Sequence, residues 1–318
     1  MPNISIITTT YKHKDFIRYT IESVLSQTFS DWELLIGDDS PDTETREIVQ
    51  EYVKKYPNKI KARHHRPNKW IVDNMNFLLS QVHEESEYIS FLEWDDMYTP
   101  DNLEEKIKIF EKHQDVGFVY TDYKLIDISN RDKPIKRKNT SIKHWLHTLS
   151  LLQFLNMGNP IQSFGAVILK KSLLSDYLPL RNLDTHNKMF WPLDYSLWTK
   201  IVPTTSMYYL AKPLFLYRVH DNNFVKNVSL MNNQLELVYR DILKINKDPL
   251  VVNICSFFIA VNRMVSSFFA GNTLKTIEYG CRSFKYNKTK LFVYRSWIMI
   301  LSLMPKYIKD SILNKFRS

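Results

Sequence analysis

Between Ile4 and Tyr120 short apolar runs alternate with segments whose apolar residues recur at helical spacing, and this alternation points to an α/β fold built on a largely parallel sheet. The candidate strands are Ile4 to Thr9, Trp32 to Gly37, Ile60 to His65, Tyr88 to Leu92 and Val116 to Tyr120. Phe16, Ile17, Thr20, Ile21, Val24 and Leu25 share one helical face, with Asp15 expected to cap that helix. Asp42 to Tyr56 and Pro100 to His113 repeat the theme, the second opening on proline with acids in its first turn. Right-handed crossovers between parallel strands gather the strand ends and their loops on one edge, where ligands bind. Further along, Phe164 to Leu169 and Leu214 to Val219 read as strands and Leu193 to Ile201 as a short helix; beyond Asn222 the pattern is wholly helical. Asn130 to Lys143 has no apolar face and reads as a surface loop or lid. The expected organisation is an α/β domain over residues 1–222, its mixed sheet flanked by helices, and a helical extension over 223–318.

The glycine-based phosphate motifs are missing. With six glycines there is no GxG and no GxxxxGK[ST], so neither a dinucleotide fingerprint nor a P-loop is present; GxSxG and HExxH are absent too. A nucleotide bound by such a fold must be held by side chains and a metal. The net charge of +9 is uneven: from Arg282 onward nine Lys and Arg stand against Asp310 alone. That leaves the rest of the chain nearly neutral and argues against a nucleic-acid partner. The opening MPNISIITTT lacks the basic and apolar regions of a secretory signal, which predicts a protein that stays inside the cell. Cys255 and Cys281, without metal-ligand spacing, read as inert thiols.

Carboxylates at strand ends supply the alternative. Asp38-Asp39-Ser40 follows the strand WELLIG, and a carboxylate there can accept the imide N–H of a uracil ring while Thr8, Thr9 or Tyr11 flanks the base. The same residues would also serve as an ordinary turn or helix cap. Glu93-Trp94-Asp95-Asp96 closes the strand YISFL. Three acids within four residues repel one another unless a cation lies among them, and a hard divalent ion bridging two phosphates is the usual remedy. Asp194, in FWPLDYSLW, either sits in a first helical turn against the dipole or faces a cleft, placed to deprotonate an acceptor hydroxyl.

These residues resemble family 2 glycosyltransferases of the GT-A fold. SIITTTYKHKDFIRYTIESVLSQTFSDWELLIGDDSPD is similar to that family's opening, YISFLEWDDMYTPDNLE to its metal-binding stretch, LDYSLW to the segment with its catalytic base and LYRVH to its closing strand. The likeness spans roughly residues 3 to 222 with four motifs in order. It implies an inverting transfer from a nucleotide-sugar, with UDP as the expected nucleotide, to a glycan or lipid-linked acceptor in surface polysaccharide or lipopolysaccharide assembly. It further implies that Thr9 and Asp39 contact the nucleobase, that Asp96 binds Mn2+ or Mg2+ with Asp95 near sugar and phosphate, and that Asp194 is the base. Arg218 and His220 stand where the family often has a residue near the pyrophosphate, His220 as a further metal ligand. Glu93 replaces the usual first Asp on a longer arm. Two rivals remain: a nucleotidyltransferase, which the scarcity of glycine disfavours, and a catalytically inactive, membrane-associated nucleotide-sugar-binding protein.

The tail has its own pattern. Trp297 to Met304 is too short to span a bilayer. Beyond Pro305, Tyr307, Ile308, Ile312, Leu313 and Phe316 recur at helical spacing among Lys306, Lys309, Lys315 and Arg317. Residues 288–318 therefore read either as an interfacial helix for an anionic membrane surface or as a helix packed on the catalytic domain.

Overall fold

The computed structural model describes residues 3–129, 131–133, 145–221, 223 and 227–286. It divides into two compact units, Met1–Asn223 and Phe224–Ser318. The strands of the first unit are β1 (Ile4–Thr10), β2 (Trp32–Asp38), β3 (Ile60–His64), β4 (Tyr88–Phe91), β5 (Met97–Tyr98), β6 (Val116–Ile126), β7 (Asp132–Lys133), β8 (Trp145–His147), β9 (Val167–Lys170) and β10 (Ser206–Arg218). Its helices are α1 (Lys14–Leu25), α2 (Thr43–Lys55), α3 (Trp70–Leu79), α4 (Asn102–Lys112), α5 (Leu151–Met157), α6 (Lys171–Ser175) and α7 (Leu193–Ile201). One sheet runs in the order β3-β2-β1-β4-β9-β6-β10-β5, with β7 on β6 and β8 on β10.

β1 and β2 are buried almost throughout, as central parallel strands covered on both faces must be. Ile4, Ile6, Leu34 and Ile36 pack with Ile17, Ile21 and Val24 of α1 and Val49 of α2. Each such side chain contributes about 2 kcal/mol by leaving water. The parallel half matches the expected alternation, and four details differ. Helix α1 begins at Lys14 with His13 at its N-cap, so Asp15 lies in the first turn instead of capping it. Helix α3 (Trp70–Leu79) has no counterpart in the expected pattern. Phe164–Ala166 form a single tight helical turn, and the strand there starts only at Val167, running antiparallel to both β4 and β6. β10 starts at Ser206, ahead of the expected Leu214, and shifts register around Pro213.

Register delivers the site. Thr10 pairs with Asp38 and Asp38 with His64, which lines up the ends of β1, β2 and β3 on one edge. β4 lies beside the start of β1, and the Leu92 N–H bonds the Ile7 carbonyl, so Glu93 emerges toward the same edge. Two residues of β5 then pair antiparallel with β10 at Leu216 and Phe215, closing the acidic turn against the final strand.

In the second unit the described residues form α8 (Val228–Ile245), α9 (Pro249–Phe269) and α10 (Thr273–Tyr286). Asn227 and Asp248 cap α8 and α9 through their side chains, and Arg263 grips Glu236 between the two helices at 2.6 and 2.8 Å. By length and composition Pro249–Phe268 could cross a membrane, yet 50% of its apolar window is buried. Residues 288–318 and most of the Asn130–Lys143 loop lie outside the described residues.

Candidate active site

The first half of the site is the turn after β2. Asp38 is locked: Oδ1 accepts the Ser40 N–H at 2.9 Å, and Oδ2 lies 2.9 Å from Nδ1 of His64. Asp39 accepts the Lys69 N–H at 2.9 Å on Oδ1 and the Asn74 amide at 3.1 Å on Oδ2. Asn74 arrives from α3 because position 37 is glycine: a Cβ there would stand 1.8 Å from its Oδ1, and the bare backbone instead lets Asn74 bond the Gly37 carbonyl at 2.9 Å. Burial raises the Asp39 pKa, and the Lys69 N–H and Asn74 amide work against it by favouring the charged form. Around this carboxylate, Thr9 is half-buried and Tyr11 is 41% exposed. Thr8, expected beside the base, is enclosed, since alternation along β1 turns it to the other face of the sheet. Lys12, at φ 61°, donates its N–H to the Ser40 hydroxyl at 2.7 Å and ties the two loops together.

The second half is the turn after β4. The Thr20 hydroxyl of α1 reaches the carbonyls of Trp94 and Asp96 at 2.7 and 2.9 Å. Arg218, expected beside the pyrophosphate, is completely enclosed and acts as the fastener of this turn. Its N–H bonds Asp96 Oδ1 at 2.8 Å, its Nε bonds the Asp95 carbonyl at 2.6 Å, and its Nη1 bonds the Asp127 carbonyl at 3.0 Å. The guanidinium also lies over Phe16, 4.9 Å from the ring centre. His220 presents Nε2 to Asp95 Oδ2 at 2.9 Å, which makes it an orienting partner of Asp95. His13 stacks flat on Trp94, and burial, reinforced by His220, pushes its pKa down to about 3, so the ring stays neutral.

Glu93 accepts the Gly165 N–H at 3.1 Å and the Ser163 hydroxyl. Gly165 is needed for that approach, because a Cβ would meet the Phe215 ring at 2.3 Å. Asp194 stands in the first turn of α7 and accepts the Tyr195 N–H at 2.6 Å. Phe164, next to Ser163, packs on Phe91 of β4 and Trp198 of α7, so one aromatic contact relates the Glu93 shell to the Asp194 helix.

These carboxyls share one electrostatic field. Burial pushes Glu93 up to about 7, the Ser163 hydroxyl opposes this, and Asp95 and Asp194 add like-charge repulsion. Burial also raises Asp96 well above the usual carboxylate range, with Asp95 and Glu93 reinforcing it. Asp194 rises to about 7 through burial, against the favourable N–H of Tyr195. Among the described residues no three His, Cys, Asp or Glu side chains form a complete metal cage. The donor set is nonetheless suited to a hard divalent cation, which commonly takes one or two carboxylates and completes its shell with water and substrate phosphates. Asp95 and Asp96 offer those oxygens, and their mutual repulsion is what a cation would relieve.

Comparisons with known proteins bear on the family and the fold. A family model described as Glycosyl transferase family 2 matches residues 5–178. EpsE of Bacillus subtilis, a candidate glycosyltransferase, is 32% identical over 126 residues, covering 40% of this chain and 45% of that protein. TuaG of the same organism, a candidate teichuronic acid biosynthesis glycosyltransferase, is 32% identical over 125 residues, 39% of this chain and 48% of its own. The chain thus spans about half the length of these two relatives. Staphylococcus aureus TarS 1-349 in complex with UDP-GlcNAc superposes with a TM-score of 0.61 at 17% identity, covering 97% of this chain and 83% of that one. The mannosyltransferase PcManGT of Pyrobaculum calidifontis, in complex with GDP-Man and Mn2+, gives 0.59 at 14% identity, covering 98% and 84%. At such identities the likeness shows the fold alone, a GT-A arrangement. With the family model matching more than half of its residues, this chain belongs to glycosyl transferase family 2.

Proposed function

We propose that this chain is an inverting, metal-dependent glycosyltransferase that moves a sugar from a nucleoside-diphosphate donor, UDP-linked, to a hydroxyl of a glycan or lipid-linked acceptor in surface polysaccharide or lipopolysaccharide assembly. The observation that carries this reading is the convergence of Glu93, Asp95, Asp96 and Asp194 in one field, with the separate acceptor Asp39 at the end of β2. The TarS complex with UDP-GlcNAc, the PcManGT complex with GDP-Man and Mn2+ and the description of TuaG as a candidate teichuronic acid biosynthesis glycosyltransferase support it.

Asp39 accepts the imide N–H of the base, flanked by Thr9 and Tyr11. Asp96 and Asp95 would hold Mn2+ or Mg2+, with His220 orienting Asp95 and Arg218 fixing the turn beneath both. When bound, that cation neutralises the departing diphosphate. Asp194 takes the proton of the acceptor hydroxyl as its oxygen bonds the anomeric carbon. The bond from that carbon to the phosphate oxygen breaks on the opposite face, UDP leaves, and configuration inverts. A raised Asp194 pKa suits a base working near neutrality.

The test is release of UDP from a panel of UDP-sugars with Mn2+ or Mg2+. Wild type is expected to hydrolyse a donor slowly, and EDTA or Asp96→Ala to abolish it. If wild type releases no UDP from any donor in a metal-dependent way, the protein is a non-catalytic binder. The basic amphipathic pattern of residues 288–318 supports peripheral docking on the cytoplasmic face of a membrane. Deleting those residues is expected to move the protein from membrane to soluble fractions, and unchanged partition removes the docking part.

A further inference from the structure

Three residues, Tyr11, Lys12 and His13, join β1 to α1, and they are fastened to both acidic turns. Lys12 sits in the left-handed region at φ 61°, where a residue with a Cβ is disfavoured, and its N–H is held by the Ser40 hydroxyl at 2.7 Å. Ser40 in turn gives its N–H to Asp38 Oδ1 at 2.9 Å, so this end of the connection belongs to the turn after β2. A backbone conformation of that kind persists only where its surroundings hold it from more than one side.

His13 supplies the other side. It occupies the N-cap of α1 but makes no side-chain cap, at a position where Asn, Asp or Ser would bond the first turn. Its ring instead accepts the Tyr11 N–H on Nδ1 at 3.1 Å and lies flat on Trp94, with 2° between the planes. The ring is neutral, so acceptance at Nδ1 places its proton on Nε2. Trp94 belongs to the turn after β4, between Glu93 and Asp95, and its carbonyl is fixed by the Thr20 hydroxyl at 2.7 Å. Trp94 also meets His220, with 5.5 Å between ring centres, and His220 reaches Asp95 Oδ2 at 2.9 Å. Direct contacts therefore run without a gap from Asp95 through His220, Trp94 and His13 to Tyr11, and the next residue, Lys12, carries them to Ser40.

No step of the transfer proposed above uses His13 or Trp94. A cap forgone and a left-handed lysine retained in one short connection break local rules of the kind that function overrides. We infer that the His13–Trp94 stack couples the two halves of the donor site, so that a nucleoside at Tyr11 and Asp39 and a divalent cation at Asp95 and Asp96 each strengthen the binding of the other. This rests on the reading of Asp39 as the acceptor for the base and of Asp95 and Asp96 as metal ligands. A cation drawing on Asp95 acts on the oxygen that His220 holds, and His220 packs on Trp94. A base against Tyr11 steadies the loop that His13 anchors to the same ring. His13 is thus a positioning residue, acting through Trp94 and Tyr11, and the coupling it carries is reciprocal.

Uridine is the probe, because it carries no phosphate to bridge to the cation, and an effect of Mg2+ on it passes through the protein. Ligand-observed NMR titrations of the full chain with and without saturating Mg2+, at one ionic strength, are expected to show uridine bound about fivefold tighter with the cation. His13→Asn removes the ring and supplies a favoured N-cap. Without Mg2+ it should bind uridine within about twofold of wild type, which also shows that it is folded, and it should lose the effect of the cation. His13→Phe restores a flat ring on Trp94 and should keep most of that effect. Uridine affinity that Mg2+ leaves unchanged in wild type overturns the inference, as does uridine that binds under neither condition. A full effect in His13→Asn overturns it too, and so does a loss in His13→Phe as deep as that in His13→Asn. None of these readouts involves turnover, and donor hydrolysis persists in a protein whose two half-sites bind independently, so failure here is distinct from failure of the donor-hydrolysis test.

Discussion

Two acidic turns close neighbouring parts of the same sheet edge, and they differ in what stands beside their buried carboxylates. After β2, Asp38 and Asp39 are met by donors: the N–H groups of Ser40 and Lys69, the Asn74 amide and the His64 ring. After β4, Glu93, Asp95 and Asp96 also meet donors, from Ser163 and Gly165, His220 and the Arg218 N–H, but they repel one another, and among the described residues the strong cation beside them, Arg218, sends its Nε and Nη1 to backbone carbonyls. The first turn has its charge met largely by hydrogen-bond donors, which suits the proposed reading of a neutral base. The second keeps a repulsion that a bound cation would relieve, which suits the proposed binding of metal and diphosphate together. In the proposed function, near-identical composition therefore carries two tasks, and the neighbouring groups decide which.

The contrast breaks most visibly in turnover. Asp96→Asn is expected to lower metal-dependent kcat/KM by about a thousandfold, the size of losing several kcal/mol of charge stabilisation on the leaving group. Asp194→Asn should cost kcat a similar factor, about a thousandfold, by removing the proton acceptor. Because Asp194 is raised to about 7, only its ionised fraction can take the proton. Wild-type kcat/KM should therefore climb as pH rises toward 7 and level off above it. The Asp194→Asn variant should lack that rising limb, and a flat wild-type profile would count against Asp194 as the base.

A smaller effect is expected in the turn after β2. Asp39→Asn keeps an acceptor for the Lys69 N–H but turns a carboxylate acceptor for the base into an amide. KM for the donor should rise about tenfold while kcat stays within about twofold, the signature of uniform binding lost. A collapse of kcat matching that of Asp96→Asn would erase the distinction between the turns.

The same residues show what a single sequence can and cannot reveal. β1 and β2 were legible because both of their faces are buried, which writes mostly apolar runs, interrupted by Ser5 and Glu33, whose side chains bond each other at 2.7 Å. Helix α3 was not, because Asn74 occupies one of its buried positions in order to hold Gly37 and Asp39; a functional polar residue interrupts the apolar period that would have revealed the helix. The first half of β10 was hidden by Pro213, which sits at a register shift where a strand tolerates it. The antiparallel sense of β9 depends on pairing with distant β4 and β6 and has no local signal. Within the site, acids at strand ends were readable from order and spacing. The enclosure of Arg218 and Thr8 was not, since a residue type announces its chemistry and only the fold decides whether solvent can reach it.

Glu93 gives the smallest expected effect and the most direct test of the repulsion in the second turn. Its folded pKa of about 7 lies above the 4.5 of an exposed carboxyl, so the folded chain holds this proton more tightly than the unfolded one. The stability it contributes is fully present below pH 4.5 and is lost as pH rises through 7. Glu93→Gln removes that dependence while its amide can still serve Ser163. Above neutrality the variant, without metal, should melt higher by a few degrees, equivalent to about 1 to 2 kcal/mol, and the gap should close toward pH 4.5. Saturating Mg2+ should narrow the gap as well, because a cation at Asp95 and Asp96 offsets the same repulsion that the substitution removes. A gap indifferent to both pH and Mg2+ would mean that the turn after β4 is no more loaded with charge than the turn after β2, and the division of labour between them would fall.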